Sequence, residues 1–111
     1  MIADTAGYSV KHDAVEVIGY ANSETREYVM FQHVEGEPEL HFEWDDQANG
    51  GYDIVRCVHL SPARVLIEAE GMPDGRLEIT FAPGIEGRAQ VDSRLHEILA
   101  VHGVTVERAS A

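Results

Sequence analysis

Leu40-His41-Phe42-Glu43-Trp44 alternates apolar and polar side chains with a period of two, the pattern of a strand that buries one face. Residues 15–18 (VEVI) and 28–31 (YVMF) also read as strands, joined across the polar turn Asn22-Ser23-Glu24-Thr25. Residues 52–60 form a longer run rich in β-formers. Residues 64–70 and 76–81 supply two more strands, separated by Gly71-Met72-Pro73-Asp74-Gly75. Late in the chain the period changes. Val91, Leu95, Ile98, Leu99 and His102 recur at helical spacing, with Gln90 or Asp92 near the start and Gly103 just past the end. Val104-Thr105-Val106 adds a short strand or trails away.

Turn chemistry suggests a register. Asn49-Gly50 at the centre of a two-residue hairpin sets Trp44 against Val55, Phe42 against Cys57 and Leu40 against His59, with Glu43 facing Arg56 on the other side. Closing Ser61-Pro62-Ala63 as a three-residue loop brings Val55, Cys57 and His59 to Ala69, Ile67 and Val65, and Arg56 to Glu68. The following five-residue loop sets Ile67 against Ile79 and Val65 against Phe81, at the cost of placing Glu68 opposite Glu78. One face becomes continuously apolar and needs a cover, which the helix at 92–101 supplies. The expected fold is α+β: an antiparallel β-meander sheet of about four to six strands with one C-terminal helix packed on one face. One domain spans residues 1–111, with residues 1–7 and 109–111 loosely held.

Charge changes the picture. The chain carries 20 Asp and Glu against 8 Lys and Arg, a net charge of −12. Such a surface repels phosphate backbones and anionic lipid, so neither nucleic acid nor a membrane is an expected partner. A basic protein is, because opposite charge speeds encounter, although solubility alone also accounts for a large net charge. Glu35, Glu37, Glu39, Glu43, Asp45 and Asp46 crowd into twelve residues, and no Lys or Arg lies between Arg26 and Arg56. Because this run alternates with Leu40, Phe42 and Trp44, it reads as a rigid acidic edge and the candidate partner-binding site.

Catalytic and metal chemistry find less support. His41, Glu43 and Asp45 share one side of a strand, but the register sets Arg56 beside them, where a cation is poorly placed. Cys57 and His59 fall on the face assigned to the helix, where a free Cys behaves as a small hydrophobe. Gly50-Gly51 leads into a strand, not a helix, and so is no phosphate loop. Asp45 and Asp46 point to opposite faces and enter a turn, where Asp shapes the backbone. No catalytic residue, metal site or cofactor is expected. The single cysteine and the lack of a basic segment followed by an apolar one at the start fit a cytoplasmic protein.

Trp44-Asp45-Asp46-Gln47-Ala48-Asn49-Gly50-Gly51-Tyr52, followed by strand residues 53–60 and Ser61, resembles the immunity protein 10 family of bacterial polymorphic toxin systems. So does the order of elements around it: an early strand with Tyr28-Val29-Met30-Phe31-Gln32, the acidic segment, a Ser-led turn, two further strands and a late helix. The likeness covers residues 26–100. It implies a small α+β protein that neutralises a cognate toxin by stoichiometric binding, with no catalysis. Two other readings stay open: a structural or regulatory module that docks a basic protein, and a small enzyme using Asp45, Asp46 or a histidine.

Overall fold

The alternating first half of the chain folds as an antiparallel meander. In the computed structural model, which describes residues 1–11 and 14–109, β2 (Thr5–Lys11), β3 (Val15–Ala21), β4 (Tyr28–Val34), β5 (His41–Trp44) and β6 (Asp46–Tyr52) form one sheet in the order β2-β3-β4-β5-β6. Ile18, Phe31 and Phe42 stand side by side across β3, β4 and β5, all buried, with the two Phe rings 4.8 Å apart. A second sheet runs β1-β9-β8-β7-β10. Its centre is a meander of β7 (Val55–Leu60), β8 (Arg64–Ala69) and β9 (Arg76–Phe81); β1 (Ile2–Ala3) and β10 (Thr105–Arg108) flank it, parallel to β9 and β7. We call these the meander sheet and the mixed sheet.

The single helix, α1 (Arg88–Val101), joins β9 to β10 and places Val91, Leu95, Ile98 and Leu99 in the same core as the inner faces of both sheets. The sheets meet directly where Tyr20 packs edge-to-face on Phe81 at 5.6 Å. Buried polar contacts fix the helix. The Tyr20 hydroxyl donates to buried Asp92, which also pairs with Arg88 at 3.2 Å, and Arg94 holds Glu16 on β3 at 2.6 Å. Burial and the Asp92 carboxylate hold the Tyr20 hydroxyl well above the usual tyrosine range. Gly103 ends the helix in the left-handed region at φ 73°, its N–H bonding Ala100 O at 3.1 Å. Among the described residues no helix is long and apolar enough to cross a membrane.

The α+β class, the meander and the late helix match the sequence expectation, but the expected register fails in three places. First, residues 40–44 and 52–60 do not form a hairpin. β5 pairs with β6, Asn49, Gly50 and Gly51 lie inside β6, and β7 belongs to the other sheet. Trp44–Val55, Phe42–Cys57, Leu40–His59 and Glu43–Arg56 are therefore not pairs. The reversal sits at Asp45, whose φ of 61° allows a one-residue turn. Asp53 then ends the sheet: its φ is 56°, its carboxylate accepts from Leu40 N at 3.0 Å, and its own N–H bonds Leu40 O at 2.9 Å.

Second, an irregularity between Val55 and Cys57 shifts the β7–β8 register by one. Val55 faces Ala69 as expected, but Val58 then meets Ile67 and Leu60 meets Val65. A one-residue shift exchanges faces, so Val58 and Leu60 are buried while Cys57 and His59 turn outward, away from the helix. Third, the β8–β9 register moves by two, which keeps the faces but sets Glu68 against Arg76 and Leu66 against Glu78. The expected Glu68–Glu78 conflict disappears, and Glu78 pairs with Arg64 at 2.7 Å. The start of the chain also differs. Residues 1–7 carry β1 and the beginning of β2, with Ala3 fully buried. Ala109 bonds Leu60 O at 2.9 Å; Ser110 and Ala111 lie outside the described residues.

Candidate functional site

The outer face of the meander sheet across β4, β5 and β6 is organised around one sunken carboxylate. Glu43 alternates with Phe42 and Trp44, so its side chain leaves the sheet on the side away from the core. It is nevertheless only 7% exposed. Tyr28 on β4 donates its hydroxyl to one oxygen, and His41 Nε2 lies 3.0 Å from the other. On the β6 side Gly50 stands opposite. A Cβ at Gly50 would come within 2.2 Å of Phe42 O and 2.9 Å of Glu43 Cβ, and its φ is 146°; only glycine lets the two strands close up here. The Asn-Gly-Gly run thus serves close approach inside a strand, not a hairpin turn.

These contacts set the protonation states. The Tyr28 hydroxyl, then His41, stabilise the Glu43 carboxylate and hold it below the usual range despite its burial. The same hydrogen bond, with burial and the negative charge, pushes the Tyr28 hydroxyl up to about 12. Nε2 of His41 is the nitrogen facing the carboxylate, so a neutral ring places its proton there and leaves Nδ1 as an acceptor. That Nδ1 is buried and has no hydrogen-bond partner among the described residues.

Beside His41 lies a recess of about 340 Å³ lined by Gln32, Val34, Glu37, Glu39, His41 and Tyr52. The Tyr52 ring stands 5.1 Å from that of His41 and is 63% exposed, a large aromatic surface next to two exposed carboxylates. Carboxylates and an aromatic face are groups that hold a Lys or Arg side chain.

The six sequence-nominated carboxylates do not form one cluster. Glu35, Glu37 and Glu39 are exposed in the connection before β5, whereas Asp45 and Asp46 are exposed beyond its far end. The strand between Glu39 and Asp45 separates the groups by about 20 Å, at about 3.3 Å per residue. Glu43 lies between them but is withdrawn from solvent. Nor is β5 an edge: β4 and β6 flank it, and β6 is the outer strand. Asp45 is partly a structural residue, its carboxylate accepting from Tyr28 N at 3.0 Å and its own N–H bonding Tyr28 O at 3.0 Å. Asp46 accepts from Ala48 N at 2.8 Å. The alternation of His41, Glu43 and Asp45 therefore yields no ligand set, because Tyr28 claims both Asp45 and Glu43. Arg56, expected beside Glu43, pairs with Glu70 on the mixed sheet instead.

Tyr28, Gln32 and Tyr52 entered the sequence reading only as parts of the motifs that carry the family likeness, with no site role. Their place opposite His41 and Glu43 depends on long-range pairing, though the outward phase of Tyr28, Met30 and Gln32 was readable from the alternation of β4. No family model, curated protein or solved structure matches this chain.

Proposed function

We propose that this chain is a non-catalytic binding protein that docks a basic protein partner on the outer face of its meander sheet. In its most specific form, it is an immunity protein that neutralises a cognate toxin in the cytoplasm by stoichiometric complex formation. The observation that carries the binding reading is the distribution of cations. Strands β3, β4, β5 and β6 contain no Lys or Arg, so the carboxylates at both ends of β5 have no strand-borne counter-ion. The recess holding Glu37, Glu39, His41 and Tyr52 offers a seat for one basic side chain at the first of these acidic groups.

The immunity assignment adds the likeness of residues 45–52 to the immunity protein 10 family. Its physical sense is substitution. A toxin that cleaves nucleic acid needs a basic cleft, and a rigid acidic surface occupies such a cleft in place of the phosphate backbone. Close charge pairs across an interface couple by about 1.5–7 kcal/mol, ample for tight inhibition.

The test is a pull-down with the product of the neighbouring open reading frame, followed by a toxicity-rescue assay in which the two genes are co-expressed. A one-to-one complex and restored growth are expected. Capture without rescue would retain the docking module and discard the immunity role, while a neighbour that is neither captured nor toxic would remove the immunity reading altogether.

A further inference from the structure

The one-residue register shift in β7 does more than exchange faces. It brings together four side chains with metal-ligand chemistry on the outer face of the mixed sheet. Cys57 and His59, two residues apart on β7, point the same way. Glu68 on β8 stands opposite Cys57, and Glu107 on β10 stands opposite His59. Three adjacent strands thus converge on one imidazole. His59 Nε2 lies 3.5 Å from Cys57 Sγ and 3.0 Å from a Glu68 oxygen, while His59 Nδ1 lies 2.8 Å from a Glu107 oxygen. A sulfur, a ring nitrogen and a Glu107 oxygen all fall within 4.8 Å of one another.

We propose that Cys57 Sγ, His59 Nε2 and Glu68 bind one divalent transition-metal ion of the zinc class, with Glu107 positioning the ring through Nδ1. Three arguments support this. The first is distance: bonds of about 2.3 Å to sulfur and about 2.0–2.1 Å to nitrogen at a tetrahedral angle require an S···N edge of about 3.5 Å, the separation found here. The second is the donor set. Thiolate with imidazole and carboxylate selects a borderline-soft ion over Mg²⁺ or Ca²⁺. The third is charge. Two carboxylates converge on one imidazole and only one cation, Arg76 opposite Glu68, stands against them, since neighbouring Arg64 is committed to Glu78; a dication would offset the negative charge that remains.

The Nδ1–Glu107 contact is the carboxylate–histidine–metal arrangement that orients a ligating ring. Binding the ion releases the Cys57 thiol proton and leaves the thiolate as ligand. Cys57, His59 and Glu68 are all partly exposed, so the ion has an entry path and its fourth position opens to solvent.

Titration of the intact chain with Zn²⁺ against a chromophoric chelator should give one site per chain. Co²⁺ in its place should give a thiolate charge-transfer band. Cys57→Ser should abolish that band and weaken Zn²⁺ binding at least 100-fold, as should His59→Ala. Glu107→Gln should weaken it by about 10–100-fold. His33→Gln, on the other sheet, should leave Zn²⁺ binding unchanged. A band that survives Cys57→Ser, or Zn²⁺ binding lost in His33→Gln but not in His59→Ala, would overturn the proposal. Thiol labelling of the wild type needs no variant to fold: Zn²⁺ should slow reaction of Cys57 at least tenfold, and equal rates with and without the ion would refute the site.

Discussion

The two sheets close over one core but treat charge on their outer faces in opposite ways. On the mixed sheet, acid and base alternate: Arg64 meets Glu78, Arg56 meets Glu70, and Glu68 stands opposite Arg76. On the meander sheet strands β3 to β6 carry no Lys or Arg. Residues 5–52 carry ten Asp and Glu against two Lys and Arg, whereas residues 53–111 carry nine against six. The meander sheet instead satisfies its central carboxylate with the Tyr28 hydroxyl and the His41 ring, holds Asp45 and Asp46 with backbone N–H groups, and leaves Glu35, Glu37 and Glu39 exposed. A face neutralised by its own cations has little electrostatic reason to attract a partner, while an acidic face stabilised by hydroxyl and imidazole keeps its charge and its fold together. That difference gives the binding reading its direction.

The comparison can be broken most severely at Gly50. An alanine there is expected to destabilise the protein by about 3 kcal/mol or more, because the added Cβ meets the Phe42 carbonyl at 2.2 Å and the φ of 146° is strained for any side chain. Denaturant unfolding with intrinsic fluorescence measures this. A loss below about 1 kcal/mol would mean that β5 and β6 do not approach as described. Alanine at Gly71, where nothing lies within 4 Å, should cost less, limited to the strain of its φ of 83°.

Tyr28→Phe should cost about 1–3 kcal/mol, since it leaves the buried Glu43 carboxylate short of a donor. The pH dependence follows from the shifts. Glu43 is depressed in the folded state, so its contribution is present above the ordinary carboxylate range and fades as pH falls through the folded value. Tyr28 is raised to about 12, so its contribution is complete below the ordinary tyrosine range and fades as pH rises through about 12. Stability-versus-pH curves should therefore be flatter at both ends in Tyr28→Phe than in the wild type. Parallel curves would show that the pair does not couple.

For the partner, the triple variant Glu37→Gln, Glu39→Gln, Asp45→Asn is expected to slow association about tenfold at low salt and to reduce the salt dependence, leaving unfolding unchanged. Asn tolerates the left-handed backbone at position 45 and retains an acceptor for Tyr28 N. Stopped-flow association at two ionic strengths compares it with a double variant of the mixed sheet, Glu70→Gln, Glu78→Gln, in which little change is expected. Equal slowing in both variants would show that net charge, and not the meander face, steers the partner.

The smallest effect is expected on the mixed sheet itself. A double-mutant cycle on Arg64 and Glu78 should return less than about 1 kcal/mol, because both side chains are about half exposed. A larger coupling would mean that this face is ordered more tightly than exposed ion pairs allow.

The strands β3, β4, β5, β7, β8 and β9, the α+β class and the helix were legible in the sequence, because each rests on local information: a period of two, a period near 3.6, and a glycine past the helix end; β1 and β2, at a chain start expected to be loosely held, and β6, expected as a turn, were not. The acidity of the stretch from Glu35 to Asp46 was equally plain, and most of its carboxylates are exposed. Pairing was not legible, since the three wrong registers each turn on a feature without a local signature. Asp45 reverses the chain in one residue by adopting a left-handed backbone that its carboxylate secures on Tyr28, so the more obvious Asn-Gly turn goes unused. The irregularity beside Arg56 sends Val58 and Leu60 into the core and Cys57 and His59 out, because strand faces alternate and one extra residue inverts them. The withdrawal of Glu43, the recess beside His41 and the meeting of Cys57 with His59, Glu68 and Glu107 all follow from those registers. The sequence by itself determined most of the segments that extend, the one that coils and where the charge is concentrated. The tertiary structure alone decided which of those charges would be neighbours, because long-range pairing is settled by the fit of one buried face against another.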